Sequence, residues 1–214
     1  MNEAPASATK DRLLDTAEKL FAESGIDAIS LRTITAEAGV NLAAVNYHFQ
    51  SKDALAMAVV ERRFAPINRE RLRMLDEFEA AVHGEPVPVA RLVEAFLTPV
   101  LALRNGPCSD FVPLMARIYT EHRTFMERIF REHLLPVVQR FQAAFQRTLP
   151  HLPPAEVVWR MQFMAGAMIH SVSRPFKIAE VANEMQDASL LAPMMITCFT
   201  AAFEAPATEI HDEQ

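Results

Sequence analysis

Apolar residues recur between Leu13 and Phe21 with a period of about 3.6 residues, which predicts a first helix. Thr9 precedes this stripe and Gly25 follows it, as is typical of helix boundaries. The stripe consists of Leu13, Leu14, Ala17, Leu20 and Phe21.

Two short helices are predicted next. Ser30 can cap a helix that extends to Ala38, and Asn41 can cap another over Leu42 to Phe49. Only Gly39-Val40-Asn41 separates the two, and Gly39 allows a left-handed stop. Two short helices joined by a three-residue turn containing glycine are typical of a helix-turn-helix.

A long fourth helix is predicted from Lys52, with Ser51 as its cap and Asp53 in the first turn, where a negative charge favours the helix dipole. We expect Pro66 to kink or interrupt it, because proline lacks a backbone donor and clashes with the preceding turn.

Five further apolar-periodic segments predict five more helices, for an all-α fold of about nine helices. We expect residues 1–55 to form an N-terminal helix-turn-helix domain, 56–205 a C-terminal helical domain, and 206–214 a flexible tail. Prolines at 99, 113 and 136 predict bent helices. The five segments are Val87–Leu103, Asp110–Glu121, Thr124–Leu149, Ala155–Ser173 and Leu190–Phe203.

Composition agrees with helices, because half of the residues are hydrophobic and only five are glycine. The net charge is -6, and residues 1–53 carry five Lys/Arg against eight Asp/Glu, a local net of -3. The chain therefore lacks a basic field, and any nucleic-acid contact must come from a few placed donors and helix N-termini.

Other classes of function find little support. Cys108 and Cys198 lie far apart without a metal-ligand spacing, and we predict neither a metal site nor a cofactor. No catalytic constellation, P-loop or GxGxxG motif is present, so an enzyme is not expected. Because Met1 to Thr9 has no leader pattern and no stretch reaches the ~20 apolar residues of a membrane span, we expect a cytoplasmic protein without membrane contact.

Three motifs carry a family resemblance. Leu31–Ile34, Ala38–Val40 and Val45–Leu55, which includes Tyr-His-Phe-Gln-Ser-Lys, resemble the DNA-binding signature of TetR-family transcriptional regulators. His151–Glu156 and Arg160–Ser171 are similar to a PsrA-like branch that is associated with long-chain fatty-acid sensing. The resemblance implies a homodimer that binds a palindromic operator in double-stranded DNA and senses a small molecule.

The predicted third helix has the chemistry of a recognition helix. The methyl groups of residues 42–44 can approach a thymine methyl, and the amide of Asn46 suits adenine. Tyr47 and His48 resemble the family's backbone-contacting pair, although packing remains open for Tyr47 and a plain surface position for His48. The predicted DNA-binding residues are Arg32, Thr33, Asn41, Leu42, Ala43, Ala44, Asn46, Tyr47, His48 and Lys52.

The last two helices carry more apolar surface than a peripheral helix needs, which predicts the dimer interface, although intrachain core is an alternative for each residue. The interface candidates are Trp159, Phe163, Ala167, Ile169, Leu191, Met195, Phe199 and Phe203.

Methionine and aromatic residues between the predicted bent helices are candidates for an adaptable apolar ligand pocket, with filled core as the alternative. Arg117, His122, His170 and Arg174 are the candidate polar partners for a ligand head group. The predicted ligand-binding residues are Phe96, Val100, Met115, Ile118, Tyr119, Phe125, Phe130, Met164, Met168 and His170.

The sequence thus favours a ligand-responsive DNA-binding regulator, a repressor released by an apolar molecule. The branch resemblance indicates a fatty acid or acyl-CoA as that molecule. The alternative is a helical lipid-binding carrier or scaffold without DNA binding, which the acidic N-terminal region favours.

Overall fold

The computed structural model describes residues 6–102, 111, 114, 115, 117, 118, 122–172 and 188–209. Over these residues the secondary structure is helical without strands, which confirms the all-α expectation. The described residues form eight helices rather than about nine. The predicted helix Asp110–Glu121 lies largely outside the described part of the chain.

Five helices precede residue 102 and three follow residue 122. The sixth contains a π-helical turn, so one long predicted helix is continuous but locally irregular. Among the helices of the described ranges, none is long and apolar enough to cross a membrane. The elements are α1 Ala6–Ser24, α2 Leu31–Glu37, α3 Leu42–His48, α4 Lys52–Ala81, α5 Val89–Leu101, α6 (Arg123–Ile129, the π-turn Phe130–Leu134 and Leu135–Thr148), α7 Pro154–Val172 and α8 Ala188–Glu204.

The chain divides into two compact units. The first is Met1–Pro66 with Asn105–His133, and the second is Ile67–Arg104 with Leu134–Gln214. This division follows the packing of the chain. The predicted boundary at residue 55 instead separates a DNA-binding region from a ligand-binding region, and it stays a prediction.

Helix α4 continues through Pro66, so of the predicted kink or interruption the interruption is wrong, and the kink stays a prediction. Proline removes one backbone hydrogen bond, a loss of about 3 kcal/mol in a helix interior. Phe64 and Ile67 on either side are buried, and such packing supplies most of the stability of a helix in a protein. The burial of these neighbours therefore offsets the lost bond.

The core of the first unit follows the predicted apolar stripe. Leu13, Ala17 and Phe21 of α1 are fully buried, as are Ile34 of α2 and Val45 of α3. Helix α1 packs against both α2 and α3. Burying side chains of this size stabilises a fold by about 1.5 to 3 kcal/mol each, and here it ties the three N-terminal helices together.

Aromatic pairs mark the core of the second unit. The Phe145 and Phe203 rings are stacked with centroids 4.2 Å apart, and the Phe96 and Phe141 rings meet edge to face at 5.2 Å. Phe203 and Met195 of α8 are buried within one chain, so their prediction as dimer-interface residues is wrong. Their side chains lie on the face of α8 that completes this core.

Candidate functional site

The three predicted caps are confirmed. The backbone N–H of Thr33 donates to Ser30 Oγ at 3.1 Å, that of Ala44 to Asn41 Oδ1 at 2.9 Å, and that of Ala54 to Ser51 Oγ. Each bond satisfies a first-turn donor that has no partner within the helix, an effect of about 1 kcal/mol. Local side-chain chemistry therefore fixes where α2, α3 and α4 begin.

The turn between α2 and α3 has the bonding of a Schellman motif. Gly39 has a φ of +63°, its N–H donates to Ala36 O at 3.2 Å, and the N–H of Val40 donates to Thr35 O at 3.0 Å. A side chain at position 39 would be strained by this positive φ. The predicted helix-turn-helix is therefore present, with Gly39 as the positive-φ residue of its turn.

One face of α3 is exposed, and we call Leu42, Ala43, Asn46 and Tyr47 the reading face. These four side chains are exposed, Tyr47 to 81% of its maximum, whereas Val45 on the opposite side is buried. The packing alternative for Tyr47 is therefore excluded. Ala44 is half-buried and lies at the edge of this face.

The other predicted DNA-contacting residues lie outside the reading face, and two of them, Thr33 and His48, already have contacts within the chain. Arg32 is exposed in the first turn of α2, where helix N-termini favour phosphate. The Thr33 hydroxyl already shares a hydrogen bond with Ser30 at 2.8 Å. His48 is half-buried, with its ring 5.0 Å from that of Tyr47 in an edge arrangement.

Lys52 has a structural contact that sequence reasoning did not anticipate. Its Nζ donates to the carbonyl oxygens of Ile26 at 3.0 Å and Asp27 at 3.2 Å, in the loop between α1 and α2. An ammonium has three donors, so these bonds leave one. Lys52 thus ties that loop to the start of α4, whether or not it also reaches a phosphate.

A charge cluster joins α1 to α4. Glu18 is only 3% exposed and accepts from Arg62 Nη2 at 2.7 Å and from Arg63 Nε at 3.0 Å. Asp15 accepts from Arg62 Nη1 at 2.8 Å. Sequence reasoning missed this cluster, because the pairing of distant charges depends on the tertiary fold.

The cluster changes the electrostatics of the first unit. Two of the eight acidic residues within positions 1–53 are neutralised by arginines that follow that segment. Residues 38–51, which contain the turn and α3, include no Asp or Glu. The segment that bears the reading face is therefore free of acidic side chains despite the acidic balance of its surroundings.

An apolar face on α7 and α8 stays exposed in the single chain. Trp159 and Phe163 are 59% and 62% exposed with ring centroids 5.9 Å apart, and Leu190 and Met194 of α8 are also exposed. We call these four residues the apolar face. Trp159 and Phe163 are two of the eight predicted interface residues. Leu190 and Met194 were not predicted, and each immediately precedes a predicted residue of α8.

Arg160 and Glu156, within the motifs that resemble the PsrA-like branch, hold the end of α8. Arg160 Nη1 donates to the carbonyls of Ala202 and Ala205 at 2.7 and 2.8 Å. Arg160 Nη2 donates to Pro206 O at 2.7 Å, and Glu156 accepts from the N–H of Thr208 at 3.2 Å. Pro206 and Thr208, in the predicted flexible tail, therefore have contacts with α7, and the flexibility of 206–214 stays a prediction.

The predicted ligand residues fall into both compact units. Met115, Ile118, Phe125 and Phe130 belong to the first, and Tyr119 lies outside the described residues. Phe130 and His170 have exposed side chains, and their part in ligand binding stays a prediction. The members of the second unit that are buried are Phe96, Val100, Met164 and Met168.

Of the four polar residues predicted to contact a ligand head group, the three that the structure describes have different surroundings. Arg174 lies outside the described residues, His170 is exposed, and Arg117 already has a contact. His122 Nδ1 lies 3.8 Å from Asp27 Oδ2 in the first unit. The structure instead offers a cation that sequence reasoning missed.

That cation is Arg71 of α4, which is 3% exposed among the predicted ligand residues of the second unit. Its guanidinium lies 4.2 Å from the centroid of the Phe96 ring, and its Nε donates to Phe96 O at 2.8 Å. Among the described residues, Nη2 has only the Met168 sulfur as a partner, at 3.8 Å. Burial lowers the pKa of Arg71 to about 10, so the group remains charged at neutral pH.

Two family models cover most of this chain. Residues 13–59 match the model of bacterial regulatory proteins of the tetR family, and residues 94–202 match the tetracyclin repressor-like C-terminal domain. The matched segments include the helix-turn-helix and most of α5 to α8. The fold and the exposed helix define a helix-turn-helix regulator, and the chain belongs to the TetR family of bacterial transcriptional regulators.

Individual relatives agree with this membership. The chain is 33% identical over 86 residues to the transcriptional regulator AcrR of Shigella flexneri, covering 40% of this chain and 38% of AcrR. It is 34% identical over 70 residues to the nicotine-responsive repressor HdnoR of Paenarthrobacter nicotinovorans, covering 33% of this chain and 36% of HdnoR. The matches therefore span less than half the length of these curated relatives.

The fold recurs among solved structures. A SmeT–triclosan complex superposes with a TM-score of 0.63 at 22% identity, covering 96% of this chain and 100% of the SmeT chain. At this level of identity the likeness establishes the fold alone.

Proposed function

We propose that the chain acts in the cytoplasm as a homodimeric repressor, in which two reading faces bind a palindromic operator and an apolar small molecule lowers the affinity for DNA. The observation that carries the proposal is the reading face itself, a capped helix with exposed Asn46 and Tyr47 and no acidic neighbour from 38 to 51. A recognition helix has this form, because its N-terminal residues must reach base edges in the major groove.

The roles of the reading face follow from its chemistry. The Leu42 and Ala43 side chains can contact a thymine methyl, and the Asn46 amide can pair with adenine N6 and N7. We expect Tyr47, with Arg32 at the start of α2, to contact phosphate. Asn41 and Thr33 have their side chains engaged in caps, and their part is to hold α3 and α2 in position.

Binding to the DNA upstream of the protein's own coding sequence tests this role. Fluorescence anisotropy at several salt concentrations should give a specific complex whose affinity falls with salt. Asn46→Ala should cost about 1 to 3 kcal/mol at one base pair and relax specificity there, whereas Arg91→Ala, an exposed arginine of the second unit, should change nothing. A protein with no affinity for duplex at low salt would be the lipid-binding carrier instead.

Salt dependence separates the two roles of Lys52. If its third donor reaches a phosphate, Lys52→Ala should weaken binding to all sequences alike and reduce the salt slope by about 1. A variant that loses stability while the slope stays unchanged would assign Lys52 to the α1–α2 loop alone.

The dimer proposal rests on the apolar face. Exposed aromatic and aliphatic side chains on two packed helices are typical of an interface between subunits, and two half-sites about 34 to 36 Å apart require two copies of α3. Phe163→Glu should yield monomers in analytical ultracentrifugation and lower operator affinity, while Gln139→Glu, also exposed, should leave both unchanged. A dimer that survives Phe163→Glu would place the interface elsewhere.

We propose a fatty acid or acyl-CoA as the controlling ligand. The support is the resemblance of 151–156 and 160–171 to the PsrA-like branch, together with the Met and Phe side chains of the second unit, which adapt to apolar ligands. A coupling of about 1 to 3 kcal/mol would lower DNA affinity about 5- to 150-fold.

A further inference from the structure

Arg71 differs from Arg62, Arg63 and Arg73 of α4 because no carboxylate of the described residues pairs with it, and it differs from the exposed Arg69 because it is buried. Arg62, Arg63 and Arg73 each bond to a glutamate, and Arg71 bonds to Phe96 O, Asn68 Oδ1 and Met168 Sδ. All three acceptors are neutral. A buried charge without an opposite charge is costly, so an arginine in this environment calls for an explanation beyond packing.

The donors of Arg71 are only partly used. A guanidinium has five N–H groups, and three have partners among the described residues. Of these bonds, only Nε to Phe96 O, at 2.8 Å, has a normal length to a strong acceptor, since Nη1 to Asn68 Oδ1 is 3.4 Å and the third acceptor is sulfur. Both terminal nitrogens therefore retain capacity for an anion, which arginine binds through two parallel bonds.

The bond to Phe96 O fixes where the guanidinium points. Pro99 lies inside α5 and supplies no N–H to the carbonyl of Ala95, which weakens the helix at this turn. Arg71 Nε bonds the next carbonyl, and its plane lies over the Phe96 ring. The side chain is thus held by two contacts with Phe96 of α5, as a positioned binding group requires.

We propose that Arg71 binds the carboxylate of an apolar monocarboxylic acid inside the second unit, with Phe96 and Met168 against its apolar body. One guanidinium matches one carboxylate in charge and in bidentate geometry. The proposal rests on the proposed function as a ligand-controlled regulator and narrows its ligand. A free acid carries the required charge at its head, whereas an acyl-CoA has a neutral thioester at the same position.

Calorimetric titration of the full-length protein without DNA tests the site. The probes are dodecanoate and phenylbutyrate, each compared with the corresponding alcohol, and dodecanoyl-CoA. Wild type should bind at least one acid about tenfold or more tightly than its alcohol and than the thioester, as expected for a hydrogen-bonded charge pair. Failure of both acids to bind, or equal affinity for acid and alcohol, would overturn the proposal.

Variants test whether a preference for the acid over the alcohol depends on Arg71. Arg71→Met should remove the preference for the acid and leave alcohol affinity unchanged, Arg71→Lys should retain part of it, and Arg73→Met, on the surface of the same helix, should retain all of it. A persisting preference in Arg71→Met would overturn the assignment. Should that variant not fold, wild type and Arg71→Lys carry the test.

The ligand site and the regulatory role can fail independently. Acid selectivity that depends on Arg71, without any change in operator affinity on adding the acid, would support the site and contradict the proposed control of DNA binding. Loss of operator affinity on adding dodecanol as well as dodecanoate would contradict the site and leave the regulator intact.

Discussion

Helix α4 supplies arginines to both compact units, and the two sets differ in what surrounds them. In the first unit Arg62 and Arg63 bond to Glu18 and Asp15, so charge is balanced within the chain. In the second unit Arg71 is as buried as Glu18 and bonds only to neutral groups among the described residues. In the balanced cluster both arginines have a carboxylate partner, although Arg62 Nε is buried without a hydrogen bond among the described residues. The unbalanced one has capacity for an external anion.

Removing the acid from the balanced cluster should have the largest effect. Glu18→Ala leaves two guanidiniums without their shared carboxylate, which should lower the free energy of unfolding by about 3 kcal/mol. Urea unfolding followed by circular dichroism measures this change, with Glu61→Ala, an exposed acid of α4, as control. Equal losses of unfolding free energy in the two variants would mean that the Glu18 cluster does not stabilise the contact between α1 and α4.

Removing the cation from the unbalanced cluster should act in the opposite direction. Arg71→Met takes a charge out of the interior while keeping an unbranched apolar stem, and replacing buried charges by apolar groups is often neutral or stabilising. We expect the free energy of unfolding without ligand to rise by about 1 kcal/mol in the same urea experiment. A decrease of similar size would show that the bond to Phe96 O, rather than a ligand, accounts for Arg71.

A third cluster sharpens the comparison, because it is balanced but closer to solvent. Arg140 and Arg147 bond to Glu79, and Arg140 also bonds to Asp76, so two cations meet two anions. The two arginines hold the pKa of the Glu79 carboxyl below the usual range. Glu79 therefore adds stability above the ordinary carboxyl pKa, and this contribution is lost as pH falls through the lowered value.

Glu79→Gln should accordingly cost only about 0.5 kcal/mol at neutral pH, since partly exposed ion pairs are screened. The difference from wild type should vanish in acid below the lowered pKa of Glu79. Thermal unfolding across that pH range provides the measurement, with exposed Glu85→Gln as control. A difference that persists in acid would point to lost packing instead of lost charge.

The sequence predicted best where structure is decided locally. Ser30, Asn41 and Ser51 cap the helices expected of them, and Gly39 adopts the positive φ that its place after α2 requires. Caps and turns depend on bonds between residues a few positions apart, so residue type and spacing are enough to predict them.

Prediction was weaker where distant segments decide. The arginine-rich stretch that contains Arg71 gives no sign that one member is buried, because residue type is the same for buried Arg71 and for Arg73, which pairs with Glu70 at the surface. Nor does periodicity reveal which side of α8 meets its own chain, since the helix is apolar nearly all round. Met195 and Phe203 were therefore assigned to the wrong side, while exposed Leu190 and Met194 were missed.

In the helix-turn-helix, the residues that hold α3 in place differ from the residues that α3 exposes to solvent. Asn41 caps the helix and Val45 anchors it in the core, while the four side chains of the reading face contribute to neither task. Exposed substitutions of this kind usually change stability by less than about 0.5 kcal/mol. A library that varies only those four positions should therefore yield mostly folded proteins, which makes this chain a convenient scaffold for engineering new operator specificities.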